Sequence, residues 1–259
     1  MIKIDRRRVD CPPRLDSSQR TLVKSDYNHD EVLGALLKMQ YSKCCYCEKN
    51  LLLLGKSERW VEHFVAKTND SFKDARGNIN WNEANAWGNL LYACGTCNSS
   101  KGAKKPFDSH GERNLIDPSY CRIDPEDHVE FFIKDVAVFY KERNGSSLGK
   151  NTIENLKLEK RNDVYIALRK RKLEIDSIFS DLVNELSEEE ENDVMVKSKR
   201  SDLTKMTSAH QPHASFCRKY ITQKVDNFNS NDLQIINQKL GTRIQPITVD
   251  VAKGYEVIL

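Results

Sequence analysis

Two C-x-x-C pairs, Cys44/Cys47 and Cys94/Cys97, enclose the residues of this chain best suited to chemistry. A two-residue gap lets both sulfurs of a pair turn toward one ion, and four thiolates make a closed tetrahedral zinc site that serves structure. The 46 residues between Cys47 and Cys94 exceed the usual zinc-finger spacing and leave room for an insert. Two unrelated knuckles, or a redox pair, are the alternatives; a redox pair would leave the other C-x-x-C without a task. Cys45 is the spare member of its doublet. Cys11, Cys121 and Cys217 read as ordinary small residues.

Inside the frame lie Glu62-His63, Asn89 and, directly after the last cysteine, Asn98. Glu62 offers a hard oxygen ligand, and with Asn98 it suits Mg²⁺ or Mn²⁺ held mainly through water and substrate phosphate. His63 titrates in the range of a general base, and an Asn such as Asn89 can hold its far ring nitrogen. That set matches the needs of phosphodiester hydrolysis. A histidine on a strand is, as a plain alternative, a satisfied structural residue. Neighbouring strand residues also face opposite ways, so Glu62 and His63 would have different partners unless the strand bends.

The elements that must position these residues follow from the pattern around them. Val32, Leu33, Leu36, Leu37 and Met39–Gln40 form an apolar stripe at helical spacing, capped by Asn28 or Asp30, leading into the first cysteine pair. Leu51–Gly55 reads as a short strand or turn, 60–64 as a strand, 68–86 as a loop, and 89–93 as a second strand. A short helix starts at Asn98. The local order is strand, long loop, strand, helix. Residues 103–120 read as loop. A hairpin is expected over 129–133 and 136–140, and a turn at Asn144-Gly145. A helix is expected from Thr152 to about Leu186, carrying the basic run Arg169–Lys172, then an acidic linker at Glu188–Glu191 and helix over 200–240. The last dozen residues read as strand. His210 and His213, beside Pro212, point to no chemistry.

The whole is an α+β chain with an N-terminal arm and helix (1–40), a central module (41–120) and a mainly helical C-terminal lobe (121–259). The basic run Arg6-Arg7-Arg8 sits in an irregular arm. That arm packs on the domain, a partner or a phosphate backbone, or is a solvated terminus. With 41 basic and 38 acidic residues, a nucleic-acid surface would have to be local. Residues 1–110 carry 18 basic against 13 acidic side chains, so the central module lies in the more basic part. No apolar run approaches a membrane span. The expectation is a soluble, cytoplasmic protein without membrane contact, whose cysteines bind metal before they form disulfides.

The run Cys44-x-x-Cys47, Glu62-His63-Phe64, Trp87-Gly88-Asn89-Leu90, Ala93-Cys94-x-x-Cys97-Asn98-x-x-Lys101 resembles the HNH endonucleases, with their ββα-metal (His-Me finger) fold. With Tyr46, Glu48, Lys67 and Leu115-Ile116-Asp117-Pro118 it is similar to the HNH proteins encoded with retrons and to the nuclease subunit of Septu-type anti-phage systems. The resemblance covers residues 40–120 well and the remainder loosely. It implies a DNA-cutting effector of anti-phage defence, with RNA such as tRNA as the alternative substrate. A non-catalytic zinc-ribbon module is the other reading. By the likeness His63 is the general base, Asn89 orients it, Asn98 and Glu62 hold the catalytic metal, and Lys101 touches phosphate. Glu62 stands where the family has Asp, and Asn98 where it often has His. The resemblance also implies an ATPase partner of ABC/SMC type and, in some systems, a reverse transcriptase with its multicopy DNA, docked on the helical lobe.

Overall fold

The computed structural model describes residues 1–186 and 193–234. The expected acidic linker at Glu188–Glu191 and the C-terminal strand lie outside the described residues. The chain divides into two compact units, one of Met1–Glu130 with Tyr140–Arg161, the other of Phe131–Phe139 with the chain from Asn162.

In the first unit, helix α1 spans Asp30–Met39. His29, and neither Asn28 nor Asp30, caps it, its ring accepting from the Glu31 amide. Asp30 and Glu31 in the first turn and Lys38 in the last suit the helix dipole. Val32, Leu36 and Met39 bury one stripe. Gln40 belongs to no apolar stripe. Its buried amide donates to the Lys43 and Tyr92 carbonyls and accepts from the Tyr92 amide, tying the helix end to the first knuckle and the sheet.

Strand β1 (Arg59–His63) and strand β2 (Leu90–Cys94) pair antiparallel, Arg59 opposite Cys94 and His63 opposite Leu90. Between them runs a long excursion containing the single-turn helix α2 (Trp81–Ala84). β2 is buried throughout and passes directly into helix α3 (Gly95–Lys101). The helix therefore begins three residues earlier than its polar run suggests. Cys94 is its N-cap, and Cys97 and Lys101, four apart, share its buried face. Leu51–Leu53, expected as strand or turn, is a 3-10 turn.

The N-terminal arm is part of this core and no solvated terminus. Met1, Ile2 and Ile4 are buried, and the Ile4 amide donates to the Pro118 carbonyl. Arg6 turns inward: its guanidinium donates to the carbonyls of Trp87 and Leu90 and to the Ser119 hydroxyl. Arg8 lies on the Tyr41 ring. Two of the three arginines are thus spent on the fold. Asp26, fully buried, pairs with Arg14 and Arg20 and accepts from the Val23 amide, fixing the turn Asp26–Asn28 before α1.

Strands β3 (Val129–Lys134) and β4 (Ala137–Glu142) form the expected hairpin; Asp135 takes the left-handed conformation (φ 53°) that a tight turn needs. The expected helix from Thr152 to Leu186 is two: α4 (Ser147–Leu156), in the first unit, and α5 (Asn162–Leu186), in the second. The break is at Lys157, which is left-handed (φ 51°). In the second unit α5 packs with α6 (Asp193–Thr207) and α7 (Ala214–Asn227). Of the basic run on α5, Arg171 and Lys172 are neutralised in place by Glu174 and Asp176. Among the described residues no helix is long and apolar enough to cross a membrane.

Candidate functional site

The cysteine frame closes as its spacing suggests. All four thiols are buried and their sulfurs lie within 4.8 Å of one another. The Cys47 and Cys94 sulfurs are 3.8 Å apart. A tetrahedron with Zn–S bonds of about 2.3 Å has an edge of about 3.8 Å, so the donor set fits a structural metal ion such as zinc. The first knuckle is built by a tight reversal in which the Cys44 amide donates to the Lys49 carbonyl and the Glu48 amide to the Cys44 carbonyl, with Glu48 left-handed (φ 60°). The second is the start of α3. Cys45 stands outside the cluster, held by its amide on the Tyr92 carbonyl. Hydrogen bonds from Cys44, Cys47 and Cys97 hold the Cys94 thiol far below its usual range; the same bonds push Cys47 and Cys97 up, and burial above all pushes Cys44 up.

Arg161 completes this centre, and nothing in the motif pointed to it. Its guanidinium, 6% exposed, is 3.1 Å from the Cys97 sulfur and 3.7 Å from that of Cys94. A dication in four thiolates leaves two negative charges, and a buried guanidinium offsets one.

The strand residues divide by face. Glu62 turns toward α3, where Lys101 Nζ sits 2.6 Å from its Oε1 and 2.6 Å from the His63 carbonyl oxygen. Tyr46 adds a long contact at 3.5 Å. Both charges are sealed, Glu62 at 2% and Lys101 at 1% exposure. Burial pushes the Glu62 carboxyl up to about 7 against the pull of Lys101. Lys101 is therefore placed as an internal counterion and lacks the surface position that a phosphate contact requires. Asn98 is half-buried, and among the described residues its side chain makes no hydrogen bond; its carbonyl accepts from the Gly102 amide.

His63 turns the other way. Its ring meets the edge of Tyr27 at 4.8 Å, and its Nε2 lies 3.1 Å from Asn85 Oδ1. Asn85, completely buried, donates its amide nitrogen to the Val23 carbonyl at 3.0 Å. A carbonyl only accepts, so the NH₂ of Asn85 faces Val23 and its oxygen faces the ring. His63 Nε2 must then carry the proton, leaving Nδ1 as the basic nitrogen. Burial pushes the imidazole down to about 4, with Lys67 and Lys101 adding to the shift, so the ring is neutral across ordinary pH.

Asn85, and not Asn89, is thus the partner of His63. Asn89 clamps the loop instead: its side chain accepts from the Val65 amide and donates to the carbonyls of Val65 and Ala84, while its carbonyl accepts from Phe64. Asn85 was legible only as one amide among several in 78–89; its role depends on the fold bringing Val23 beneath it.

A divalent ion at Glu62 and Asn98 meets a poor donor set. One carboxylate, already bridged by an ammonium, and one amide are far from the oxygen cage such an ion takes. Among the described residues the four cysteines are the one group of three or more metal-ligating side chains. No family model, curated protein or solved structure matches this chain.

Proposed function

We propose that this protein is an HNH-type endonuclease that hydrolyses phosphodiester bonds, with DNA as first substrate and RNA, tRNA included, as the alternative. The observation that carries the reading is His63: a neutral imidazole whose Nε2 proton is fixed by Asn85, on a strand–strand–helix module pinned by four cysteines. The order β1, long loop, β2, α3 supports the ββα-metal reading of that module. His63 Nδ1 takes the proton of the attacking water, and Asn85 holds the ring in the required tautomer and steadies the imidazolium.

The Mg²⁺ or Mn²⁺ expected from the sequence would supply charge stabilisation at phosphorus. The Glu62–Lys101 pair does not fit such an ion, and the step above does not depend on one. The defence role, the ATPase partner and the reverse transcriptase with its DNA rest on the family resemblance.

The test is plasmid DNA and total RNA incubated side by side with wild type and His63→Ala, with and without Mg²⁺ or Mn²⁺, zinc content being measured in both proteins. Cleavage that falls by about 10² or more in the variant, zinc unchanged, is the expected result. Equal cleavage by both proteins removes His63 from the mechanism. The sealed Glu62–Lys101 pair favours one competing reading, a zinc-pinned module that binds nucleic acid without cutting. Salt-dependent binding with no cleavage under any metal establishes that reading instead.

A further inference from the structure

Beside the His63 strand, between α1 and β1, the surface opens into a cavity of about 500 Å³. That is within the usual range for a small-molecule site, roughly 300–1,000 Å³. Its walls are of three kinds. Leu33 and Leu37, both half-buried, and Trp60, 53% exposed, give a flat apolar face. Asn28, Ser57 and Asp30 give a polar edge that includes one carboxylate, Tyr92 also lines the cavity, and Lys56 and Arg59 give cations at the β1 end. A flat ring, a hydrogen-bonding edge and an anion are the three parts of a nucleotide.

Two further features support an occupant of this kind. Gly34 lies inside α1 at the cavity wall, where glycine costs a helix about 1 kcal/mol against alanine. A Cβ there would meet nothing within 4 Å, so packing does not demand glycine; its effect is to leave the opening clear. The cavity also lies near the candidate site along the chain. The turn Asp26–Asn28 puts Tyr27 on the His63 ring and its next residue, Asn28, on the cavity wall. Trp60 is three residues from His63 along β1, about 10 Å at ~3.3 Å per residue, an odd step that puts the two side chains on opposite faces of the strand.

We infer that this cavity takes an unpaired nucleobase of the substrate strand, stacked on Trp60 with its phosphate toward Lys56 and Arg59. The substrate class is then a strand with unstacked bases: single-stranded DNA or RNA, a loop, or a frayed end. This inference rests on the nuclease reading for the identity of the ligand. Aromatic stacking of a single-stranded base contributes about 1–3 kcal/mol.

The experiment uses the full, zinc-loaded chain in the His63→Ala form, to keep probes intact. Binding of a labelled oligothymidylate is compared with binding of an abasic oligomer of the same length and charge. The base-bearing probe is expected to bind roughly 5- to 150-fold more tightly, the range one stacked base gives. Trp60→Ala should erase that preference. So should Gly34→Leu, which grows a side chain into open space and leaves the fold intact. Equal binding of the two probes, or a preference kept in both variants, overturns the inference. Cleavage by the wild-type chain is scored separately. Base preference without cleavage leaves the pocket standing and removes the catalytic reading; cleavage without base preference does the reverse.

Discussion

Half of the cysteine cluster shares a hairpin and helix with the Glu62–His63 pair, yet the two balance their charges in opposite ways. The cluster gathers four thiols around a point and supplies one guanidinium, a donor set that could hold a metal cation. The strand residues are complete without one. Lys101 neutralises Glu62, and Asn85 satisfies His63. One arrangement could take a metal; the other is a finished hydrogen-bonded network. Proximity to a metal motif therefore says little about which neighbouring side chains are ligands.

Breaking the cluster should have the largest effect. Cys94→Ser removes a ligand, and structural zinc sites in small domains contribute on the order of 10 kcal/mol or more to folding. Loss of bound zinc by elemental analysis and loss of cooperative melting are expected together. A variant that melts normally without metal would show that the cluster, too, is complete on its own.

Next comes Lys101→Met, which leaves the buried Glu62 without its counterion. Breaking one half of a sealed ion pair costs about 3–5 kcal/mol. The double variant with Glu62→Gln should recover much of that in denaturant melts, since both charges are then gone. No recovery would mean that the ammonium serves the His63 carbonyl more than Glu62.

The two strand residues also make opposite demands on pH. His63 has its folded pKa near 4, below the ordinary 6.5. Between those values the unfolded chain takes up a proton that the folded one refuses, so this contribution is complete above 6.5 and is lost as pH falls toward 4. Glu62 has its folded pKa near 7, above 4.5, so its contribution is complete below 4.5 and is lost as pH rises toward 7. Each shift corresponds to something on the order of 3 kcal/mol, with the slopes opposed over the shared window. Wild-type stability should be nearly flat from about pH 4.5 to 6.5. Glu62→Gln should become more stable as pH rises through that window, and His63→Asn less stable. Parallel slopes in the two variants would sink the assignment.

The smallest effect belongs to Arg161→Met. Removing a partner of the ligating sulfurs typically lowers metal affinity 10- to 100-fold. Competition against a chromophoric zinc chelator measures it, and unchanged affinity would make Arg161 a packing residue only.

What the sequence showed was local. The C-x-x-C pairs, β1, β2 and the stripe of α1 are written in contiguous residues, and the structure has them within a residue or two. The alternation of β1 already implied that Glu62 and His63 face apart. What could not be read depends on distant segments. Asn85 matters because Val23 lies against it, Arg161 because the chain returns to Cys97 after 63 intervening residues, and Arg6 because the arm folds inward. Lys101 looked like a surface cation because its burial depends on α3 beginning at Gly95, which its polar sequence conceals.

That early start has one more consequence. With Cys97 in the first turn of α3 and Lys101 one turn on, a single rigid rod carries both a sulfur of the cluster and the counterion of Glu62. The rod cannot be seated at one end only. On the reading proposed here, making the polypeptide and arming it are separate events: a copy that has not yet acquired its metal has no assembled centre and is harmless to the cell that made it.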